Sequence, residues 1–257
     1  MNKTKRTMLR RQFLKGAMGG AGLMAAAGCD NLTQSRWFPG LLSQAEKLTD
    51  LVQRAVTPAT ALAKEYREAD ISAQFPANGN TDPGTEAYAA TAAAGFTDWT
   101  LAILGLVRTP AEWSLGAIQD MPARTQITRH DCVEGWSAIG KWTGVPLGDL
   151  MRKVDPLPAA KYAVFHCADL DNEGVYYYES MAVADLYHPQ TILAYELNDR
   201  PLDIPHGAPL RLRFERQLGY KHAKYVMKIE LVESLAGFGQ GRGGYWEDQG
   251  YEWYAGI

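Results

Sequence analysis

Short segments with strand character dominate the chain between residues 99 and 232, and they constrain its fold more than any other feature. β-Branched, aromatic and other apolar residues favour a pleated, half-buried surface, whereas Gly, Pro, Asn and Asp favour turns. The pattern predicts a short helix at 147–153 and strands at 99–107, 124–130, 162–166, 174–179, 192–197, 210–214 and 225–232. The sequence therefore predicts an α+β, sheet-rich domain with few and short helices.

Segments on either side of these strands have different compositions. Residues 41–66 carry apolar side chains at helical spacing, with Pro58 as an interruption, and predict an N-terminal helical segment within 30–66. Residues 69–94 contain Asn-Gly, Asp-Pro-Gly and an Ala-rich stretch, which favour a surface loop. The main domain is expected at 67–257, including a tail rich in Gly, Tyr and Trp whose aromatic side chains pack over the domain.

The N-terminus resembles a twin-arginine export signal. Arg10 and Arg11 begin the run RRQFLK, and a weakly apolar run rich in Gly and Ala follows it, although Leu9 stands where the motif usually has Ser or Thr. This run is too short to span a bilayer comfortably. We expect a signal peptide over residues 1–29, recognised by the twin-arginine export machinery, and a periplasmic location. Because this route carries folded proteins, it suits a chain that receives a complex cofactor before export.

The signal ends in AAGC, which resembles a lipobox with Cys29 as the acylated residue. The alternative is a plain signal peptide with a cleavage site nearby. Acylation would tether the protein to the membrane surface through Cys29.

Composition excludes several functions. The formal net charge is -3 and the charges are interspersed, so there is no basic footprint for nucleic acid. The sequence has no phosphate-loop motif, no Gly-x-Gly-x-x-Gly fingerprint and no Cys-x-x-Cys-His haem site. A nicotinamide or a covalently attached haem is therefore not supported.

Cys132 is the thiol with the most polar surroundings. Arg129 and His130 precede it and Glu134 follows it, and cationic neighbours favour the thiolate that binds metals or attacks electrophiles. In a strand, however, Arg129 would face away from His130 and Cys132. The residues alone leave Cys132 as a metal ligand, a nucleophile or a small buried side chain, and a disulfide with Cys167 is a weaker interpretation.

Two ordered blocks of sequence resemble the sulfite-oxidase family of molybdopterin oxidoreductases. The first has CVEGWS at 132–137 and WTGVPL at 142–147, and the second has NDRPL at 198–202, PHGAPLR at 205–211 and GYKHAKYV at 219–226. The nearest likeness is to the bacterial periplasmic branch that includes the methionine-sulfoxide reductase catalytic subunit. The resemblance implies a molybdopterin-binding fold with a Mo-molybdopterin cofactor. It also implies oxygen-atom transfer at a sulfur or nitrogen centre, with electrons exchanged through a membrane or c-type cytochrome.

The resemblance also implies roles for individual residues. Cys132 becomes the catalytic thiolate that binds molybdenum, a soft ligand for a thiophilic metal. Residues expected to bind the cofactor, whose phosphate needs cations and amides, are Asn78, Cys167, His206, Arg211, Gly219, Lys221, His222, Ala223 and Lys224. Without the resemblance, the basic block reads as a solvated hairpin end, Asn78 as a turn cap and His206 as structural. Cys167 replaces a Thr and is the poorer donor.

Position 77 argues against sulfite as the substrate. The loop FPANG at 75–79 places Ala77 where sulfite oxidases carry an arginine that helps to bind sulfite. Loss of that cation removes a charge-assisted hydrogen bond, so sulfoxide-type reduction is favoured over sulfite oxidation. Arg213 and Arg216 are expected either to line a pocket for a polar small-molecule substrate or to form a charged rim. The alternatives are a Cys-dependent hydrolase with Cys132 as nucleophile, or a non-catalytic lipoprotein that retains the fold.

Overall fold

The computed structural model describes residues 60–171 and 173–257, together with Leu48, Leu51, Val52, Thr57 and Pro58. The predicted signal peptide and Cys29 lie outside the described residues. Val56–Ile257 forms one compact unit. Before it, Leu48, Leu51 and Val52 are helical, as predicted for this segment.

The helix predicted over 41–66 does not extend to its expected end. The described residues between 57 and 66 are turn or extended, and Glu65 forms an isolated antiparallel bridge to Thr128. The Tyr66 amide also donates a hydrogen bond to the Ile127 carbonyl at 2.8 Å. This stretch therefore pairs with the edge of a strand instead of forming a helix.

Ten strands and five short helices form the described part of the domain, with 3-10 turns at Glu68–Asp70, Ile204–His206 and Gly219–Lys221. The helices are α1 Glu86–Ala93, α2 Leu115–Gln119, α3 Leu147–Val154, α4 Val183–Leu186 and α5 Tyr245–Asp248. The strands are β1 Thr100–Gly105, β2 Ala111–Ser114, β3 Arg124–Asp131, β4 Ser137–Pro146, β5 Tyr162–Leu170, β6 Tyr176–Ala182, β7 Thr191–Leu197, β8 Arg200–Pro201, β9 Arg211–Phe214 and β10 Val226–Val232. The predicted α+β, sheet-rich class is confirmed.

The strands form two sheets. One has the order β2-β1-β10-β5-β6, in which β1 and β10 are parallel and the other neighbours are antiparallel. The other has the order β3-β4-β7-β8, with β9 also paired to β7. Residues of both sheets and of α3 share one apolar cluster, including Leu101, Phe165, Leu193, Leu212 and Leu150. This common core fixes β9 relative to β5 and β10.

Two longer segments within the domain also differ from the sequence-based expectation. The predicted loop at 69–94 contains α1, because the Thr85 side chain caps the helix by accepting a hydrogen bond from the Tyr88 amide and an Ala-rich run follows. Tyr88 anchors this helix, since its hydroxyl donates to the Ala208 carbonyl at 2.7 Å. The long strand β4 was not predicted, because Gly140 and Gly144 interrupt its pattern.

Among the described residues, no helix is both long enough and apolar enough to cross a bilayer.

Candidate functional site

Cys132 lies in the turn that joins β3 to β4. Its amide donates to the Trp136 carbonyl at 2.9 Å, and the Gly135 amide donates to the Cys132 carbonyl at 3.1 Å. Gly135 has a φ of 89°, a left-handed conformation that favours glycine. This compact turn presents the half-buried thiol at the end of the hairpin.

The charges around this thiol differ from the sequence-based expectation. Arg129 faces outward and donates to Asp131 at 2.9 Å, as strand alternation predicted. His130 is buried, and burial followed by repulsion from His222 lowers its pKa well below the usual value. Burial raises the pKa of Cys132; the backbone amide of Glu134 lowers it, the Glu134 carboxylate raises it, and Arg211 lowers it least of all. The prediction that Arg129 and His130 favour the thiolate is therefore wrong: the unligated thiol is protonated.

Two fully buried arginines lie on one face of β9. The sequence alternates so that Leu212 and Phe214 enter the core, whereas Arg211 and Arg213 face the Trp142 ring at 5.3 and 4.3 Å. Arg213 forms a bidentate pair with Glu215, at 2.9 and 2.6 Å. Its charge is therefore balanced within the fold, and it is neither a pocket cation nor an exposed rim residue.

Arg211 has no such balance. Its guanidinium donates to the His206 carbonyl at 3.2 Å and to Asn78 Oδ1 at 3.0 Å, and its buried Nε has no partner in the described chain. Burial, followed by repulsion from Arg213, lowers the pKa of Arg211 to about 9. A buried guanidinium with spare N–H groups and neutral partners is suited to an anionic ligand.

Lys224 holds the loop that contains Asn78. Its Nζ donates to the carbonyls of Asn78 at 2.8 Å and Pro205 at 3.0 Å, and also to that of Asn80. Burial and repulsion from Arg211 lower the pKa of Lys224 to about 7. All three donors of the ammonium are used in this arrangement, so Lys224 positions the loop whose Asn78 reaches Arg211.

Gly219 and His222 lie next to His130. A Cβ at Gly219 would come within 2.3 Å of His130 Nε2, so only glycine permits this approach. His222 Nε2 faces the carbonyls of Phe214 and Gln217 at 3.0 and 3.1 Å, which fixes it as the N–H donor. Since burial also lowers the pKa of His222 well below its usual value, this ring is neutral and its Nδ1 is an acceptor. It therefore does not provide the phosphate-binding cation that the sequence suggested.

The remaining predicted residues have other surroundings. Both ring nitrogens of His206 are bonded, to Asp203 at 2.5 Å and to the Phe75 carbonyl at 2.9 Å. Cys167 and Ala223 are buried in the apolar core, and Cys167 is a free thiol, as is Cys132. Lys221 Nζ lies between Glu179 and Glu247, at 2.5 Å from each. Arg216 lies 3.7 Å from Asp185.

A cavity of about 430 Å³ opens beside Cys132. Five segments line it: the loop at 78–80, the β3–β4 turn, the β5–β6 connection, the block at 219–224 and the tail. The residues are Asn78, Gly79, Asn80, Cys132, Val133, Glu134, Asp169, Leu170, Asp171, Val175, Tyr177, Gly219, Tyr220, His222, Lys224, Tyr245, Trp246 and Tyr251. The cavity thus brings together five of the predicted site residues: Asn78, Cys132, Gly219, His222 and Lys224.

The tail contributes a wall that sequence reasoning missed. Its aromatic side chains pack on the domain, as predicted, but Tyr245, Trp246 and Tyr251 also face the cavity. The Tyr245 hydroxyl donates to Asp171 at 2.8 Å, and Tyr251 lies 5.2 Å from the Tyr220 ring. The spacing of aromatic residues in the tail predicts that they pack on the domain, but it does not identify the residues that they contact.

The residues at this cavity fit the predicted cofactor in chemical terms. Cys132 supplies a sulfur ligand at the cavity, and Arg211, which lies behind Asn78 and does not line the cavity, supplies a buried cation whose Nε–H is free in the described chain. Asn78 faces the cavity and is oriented by Arg211. A soft ligand beside an uncompensated cation is what a molybdenum atom attached to a phosphorylated pterin requires.

Comparison with known proteins identifies the family. The model of the oxidoreductase molybdopterin binding domain matches residues 88–236. A protein of Azospira oryzae, named as a candidate protein-methionine-sulfoxide reductase subunit YedZ1, is 37% identical over 247 residues, which are 96% of this chain and 87% of that protein.

More distant similarities cover shorter stretches. The protein-methionine-sulfoxide reductase catalytic subunits MsrP of Xanthomonas campestris and Xanthomonas axonopodis are each 35% identical over 150 residues, 54% of this chain and 47% of theirs. This chain thus spans about half the length of those two proteins. The crystal structure of the sulfane dehydrogenase SoxCD from Paracoccus pantotrophus matches with a TM-score of 0.48 and 21% identity, over 54% of this chain and 39% of that chain.

The family match supports an oxidoreductase over a hydrolase. The match covers both the β3–β4 turn and the block at 205–226. The chain therefore belongs to the oxidoreductase molybdopterin-binding domain family, and it is a molybdenum-dependent oxidoreductase with a sheet-rich molybdopterin-binding fold.

Proposed function

We propose that this oxidoreductase transfers an oxygen atom away from an oxidised sulfur or nitrogen centre, with a sulfoxide as the favoured substrate. The observation that carries the proposal is the cavity itself: the Cys132 thiol opens onto it, and Arg211 is buried behind its Asn78 wall without a carboxylate partner. Relatives similar to this chain are named as methionine-sulfoxide reductase subunits, which supports the direction and the substrate class.

The residues of the chain would bind the cofactor and orient it. Cys132 would hold the molybdenum, Arg211 and the loop amides would hold the anionic part of the cofactor, and Asn78 would contact the pterin. When bound, the cofactor supplies the oxygen-atom transfer and the electron exchange. Lys224 maintains the loop at 78–80, and the aromatic tail limits the access of water to the cavity.

Sulfite is a poorer candidate than a sulfoxide on electrostatic grounds. Position 77 is Ala, and the single lysine among the described lining residues is Lys224, whose three donors are taken by carbonyls. An oxyanion substrate needs charge-assisted hydrogen bonds, and the cationic donors that could form them here would instead bind the cofactor. A neutral sulfoxide needs none.

Electrons require a partner, because the chain has no haem attachment motif. We propose a membrane or soluble c-type cytochrome, in keeping with relatives that are named as subunits. We also propose twin-arginine export to the periplasm and a lipid anchor at Cys29. Replacement of Arg10 and Arg11 by Lys should abolish export, and Cys29→Ser should release the protein from membranes, both measured by cell fractionation.

The reaction is tested with protein purified natively after export. Molybdenum and pterin contents are measured, and turnover is followed with a reduced viologen dye on methionine sulfoxide and an N-oxide, and with ferricyanide on sulfite. We expect sulfoxide reduction to be the fastest. Molybdenum-loaded protein that oxidises sulfite and reduces neither other substrate would overturn the proposal.

The two described cysteines provide a matched pair of variants. Cys132→Ser should abolish turnover and lower the molybdenum content, whereas Cys167→Ser changes a thiol buried in the core. The second variant should retain molybdenum and turnover. Full activity and full metal content in Cys132→Ser would exclude a thiolate ligand.

A further inference from the structure

The mouth of the cavity has a composition of its own. Val133, Val175 and Tyr251 line the cavity and are 44%, 48% and 40% exposed, and Glu134 beside them is exposed as well. We use the term mouth for these four residues together with Asp171. The four are exposed parts of the lining, as are Gly79 and Asn80, and a substrate that enters on the side of the mouth contacts the side chains there.

The charges of the mouth are negative. The Glu134 carboxylate accepts a hydrogen bond from the Trp136 indole at 2.9 Å, which holds it at the opening. Asp171 accepts bonds from the amides of Glu173 and Val175 at 2.9 and 2.8 Å, and its pKa is lowered, chiefly by the bond from Val175. The mouth thus carries the carboxyl groups of Glu134 and Asp171, and none of its described residues is a lysine, arginine or histidine.

The rest of the mouth is apolar and aromatic. Tyr251 packs against Tyr220 and Trp246, with ring centroids 5.2 and 5.3 Å apart, so this wall is fixed by the tail. Alkyl groups bonded to sulfur pack favourably against aromatic rings. A substrate with an apolar stem on its sulfur would bury the exposed surface of Val133, Val175 and Tyr251.

We propose that the mouth is a specificity filter, which admits sulfoxides carried on an apolar stem with a neutral or cationic end and discriminates against those with an anionic end. This inference rests on the proposed sulfoxide reduction and adds the residues that choose among sulfoxides. Tyr251 provides the contact that all of these substrates share, and Glu134 with Asp171 provides the charge discrimination.

Three sulfoxides of similar size test the filter on the molybdenum-loaded enzyme. Methionine sulfoxide methyl ester is cationic, N-acetyl-methionine sulfoxide amide is neutral, and N-acetyl-methionine sulfoxide is anionic. With a reduced viologen dye as donor, kcat/KM should be about tenfold higher for the cationic than for the anionic compound, with the neutral one between them. The ratio should fall as salt is raised, because exposed charges are screened.

Two variants separate the charge from the aromatic contact. Glu134→Gln should lower the ratio of kcat/KM for the cationic compound to kcat/KM for the anionic compound severalfold. A change in kcat that is the same for both compounds leaves this ratio unaffected. Tyr251→Ala should raise KM about fivefold for all three compounds. Tyr187→Ala is the matched control, since Tyr187 is 43% exposed but does not line the cavity.

The outcomes distinguish the filter from the proposed function. Equal kcat/KM for the three sulfoxides, or an unchanged ratio in Glu134→Gln, overturns the charge filter alone. An unchanged KM in a folded, metal-loaded Tyr251→Ala overturns the aromatic contact. If loaded wild-type enzyme reduces none of the three, sulfoxide reduction itself is overturned, and the filter with it.

Discussion

Two cations buried in this domain have opposite surroundings. Lys221 is fully enclosed and lies 2.5 Å from a carboxylate oxygen of Glu179 and of Glu247. Arg211 is equally enclosed, yet it donates only to a carbonyl and an amide oxygen, and its Nε is unpartnered in the described chain. Burial lowers the pKa of Lys221, but attraction to the two carboxylates outweighs it, whereas the pKa of Arg211 falls to about 9.

This contrast distinguishes a buried cation that stabilises the fold from one that is suited to bind a ligand. A buried charge is tolerated when it is paired, so Lys221 belongs to the scaffold and ties the tail helix α5 to β6. A buried charge with neutral partners reduces stability unless a ligand completes it. Arg211 is therefore expected to serve the cofactor, and the variants below test whether the two cations respond in opposite ways.

Lys221→Met should produce the largest loss of stability. Its removal leaves Glu179 and Glu247 buried side by side without a cation, which costs about 3–5 kcal/mol. Urea unfolding of cofactor-free protein measures this loss. Adding Glu179→Gln and Glu247→Gln to the variant should restore most of the stability. A loss below about 1 kcal/mol would mean that the cluster does not anchor the tail.

Arg211→Met should give the reverse result. The free energy of unfolding of the cofactor-free protein should stay within about 1 kcal/mol of wild type or rise, because an uncompensated buried charge is removed. Cofactor affinity should fall about 10–100-fold, the usual effect of losing a hydrogen bond to a charged group. Molybdenum and pterin assays on purified protein measure the second effect. Unaltered cofactor content together with a large loss of stability would make Arg211 a scaffold residue like Lys221.

The sequence predicted part of this contrast. Alternation in β9 places Arg211 and Arg213 on one face, and the motifs led to the Cys132 turn and to Asn78. The partners of the cations could not be predicted, since Glu179 and Glu247 lie 42 and 26 residues from Lys221. Lys221 thus seemed to belong to the cofactor block with Lys224. Which neighbour balances a charge depends on tertiary packing, and local spacing does not encode it.

The surroundings of Cys132 illustrate the same limit. Arg129 and His130 are adjacent to it in sequence, but alternation turns one outward and burial neutralises the other. The tail was expected to pack its aromatic side chains on the domain, and it does so. The position of the tail at the mouth depends on its contact with Asp171, which lies more than seventy residues earlier in the chain. No local sequence pattern indicates this contact.

Asp169 extends the comparison to a buried carboxylate that forms no ion pair with a described residue, although Lys224 acts on it from a distance. Its Oδ1 has no partner in the described chain, and burial raises its pKa from 3.8 to about 6. Between these values the folded protein binds a proton that the unfolded chain does not, so stability is lost as pH rises from about 4 to about 6. Asp169→Asn has no carboxyl group to titrate at this position and does not lose this stability. Over that interval, its free energy of unfolding should therefore rise by about 2–3 kcal/mol relative to that of wild type.

Urea unfolding of both cofactor-free proteins across this pH range measures the difference, and Asp171→Asn is the matched control. The pKa of Asp171 is lowered in the folded state, so the stability that its carboxylate contributes is lost only below about pH 4, and the difference between wild type and this control should stay nearly constant from about pH 4 to about pH 6. Parallel pH profiles for wild type and Asp169→Asn would mean that Asp169 is already paired.

Tyr245→Phe should have the smallest effect and separates the two attachments of the tail. The variant removes the hydrogen bond from the Tyr245 hydroxyl to Asp171 at the cavity and leaves the Lys221 cluster intact. Because the bond is made to the ionised carboxylate, the urea midpoint should decrease slightly at neutral pH and match wild type once Asp171 is protonated in strong acid. If the decrease equals that of Lys221→Met, the tail is held at the cavity and not by its buried cluster. A decrease much smaller than that of Lys221→Met shows that the buried cluster, more than the hydrogen bond at the cavity, holds the tail.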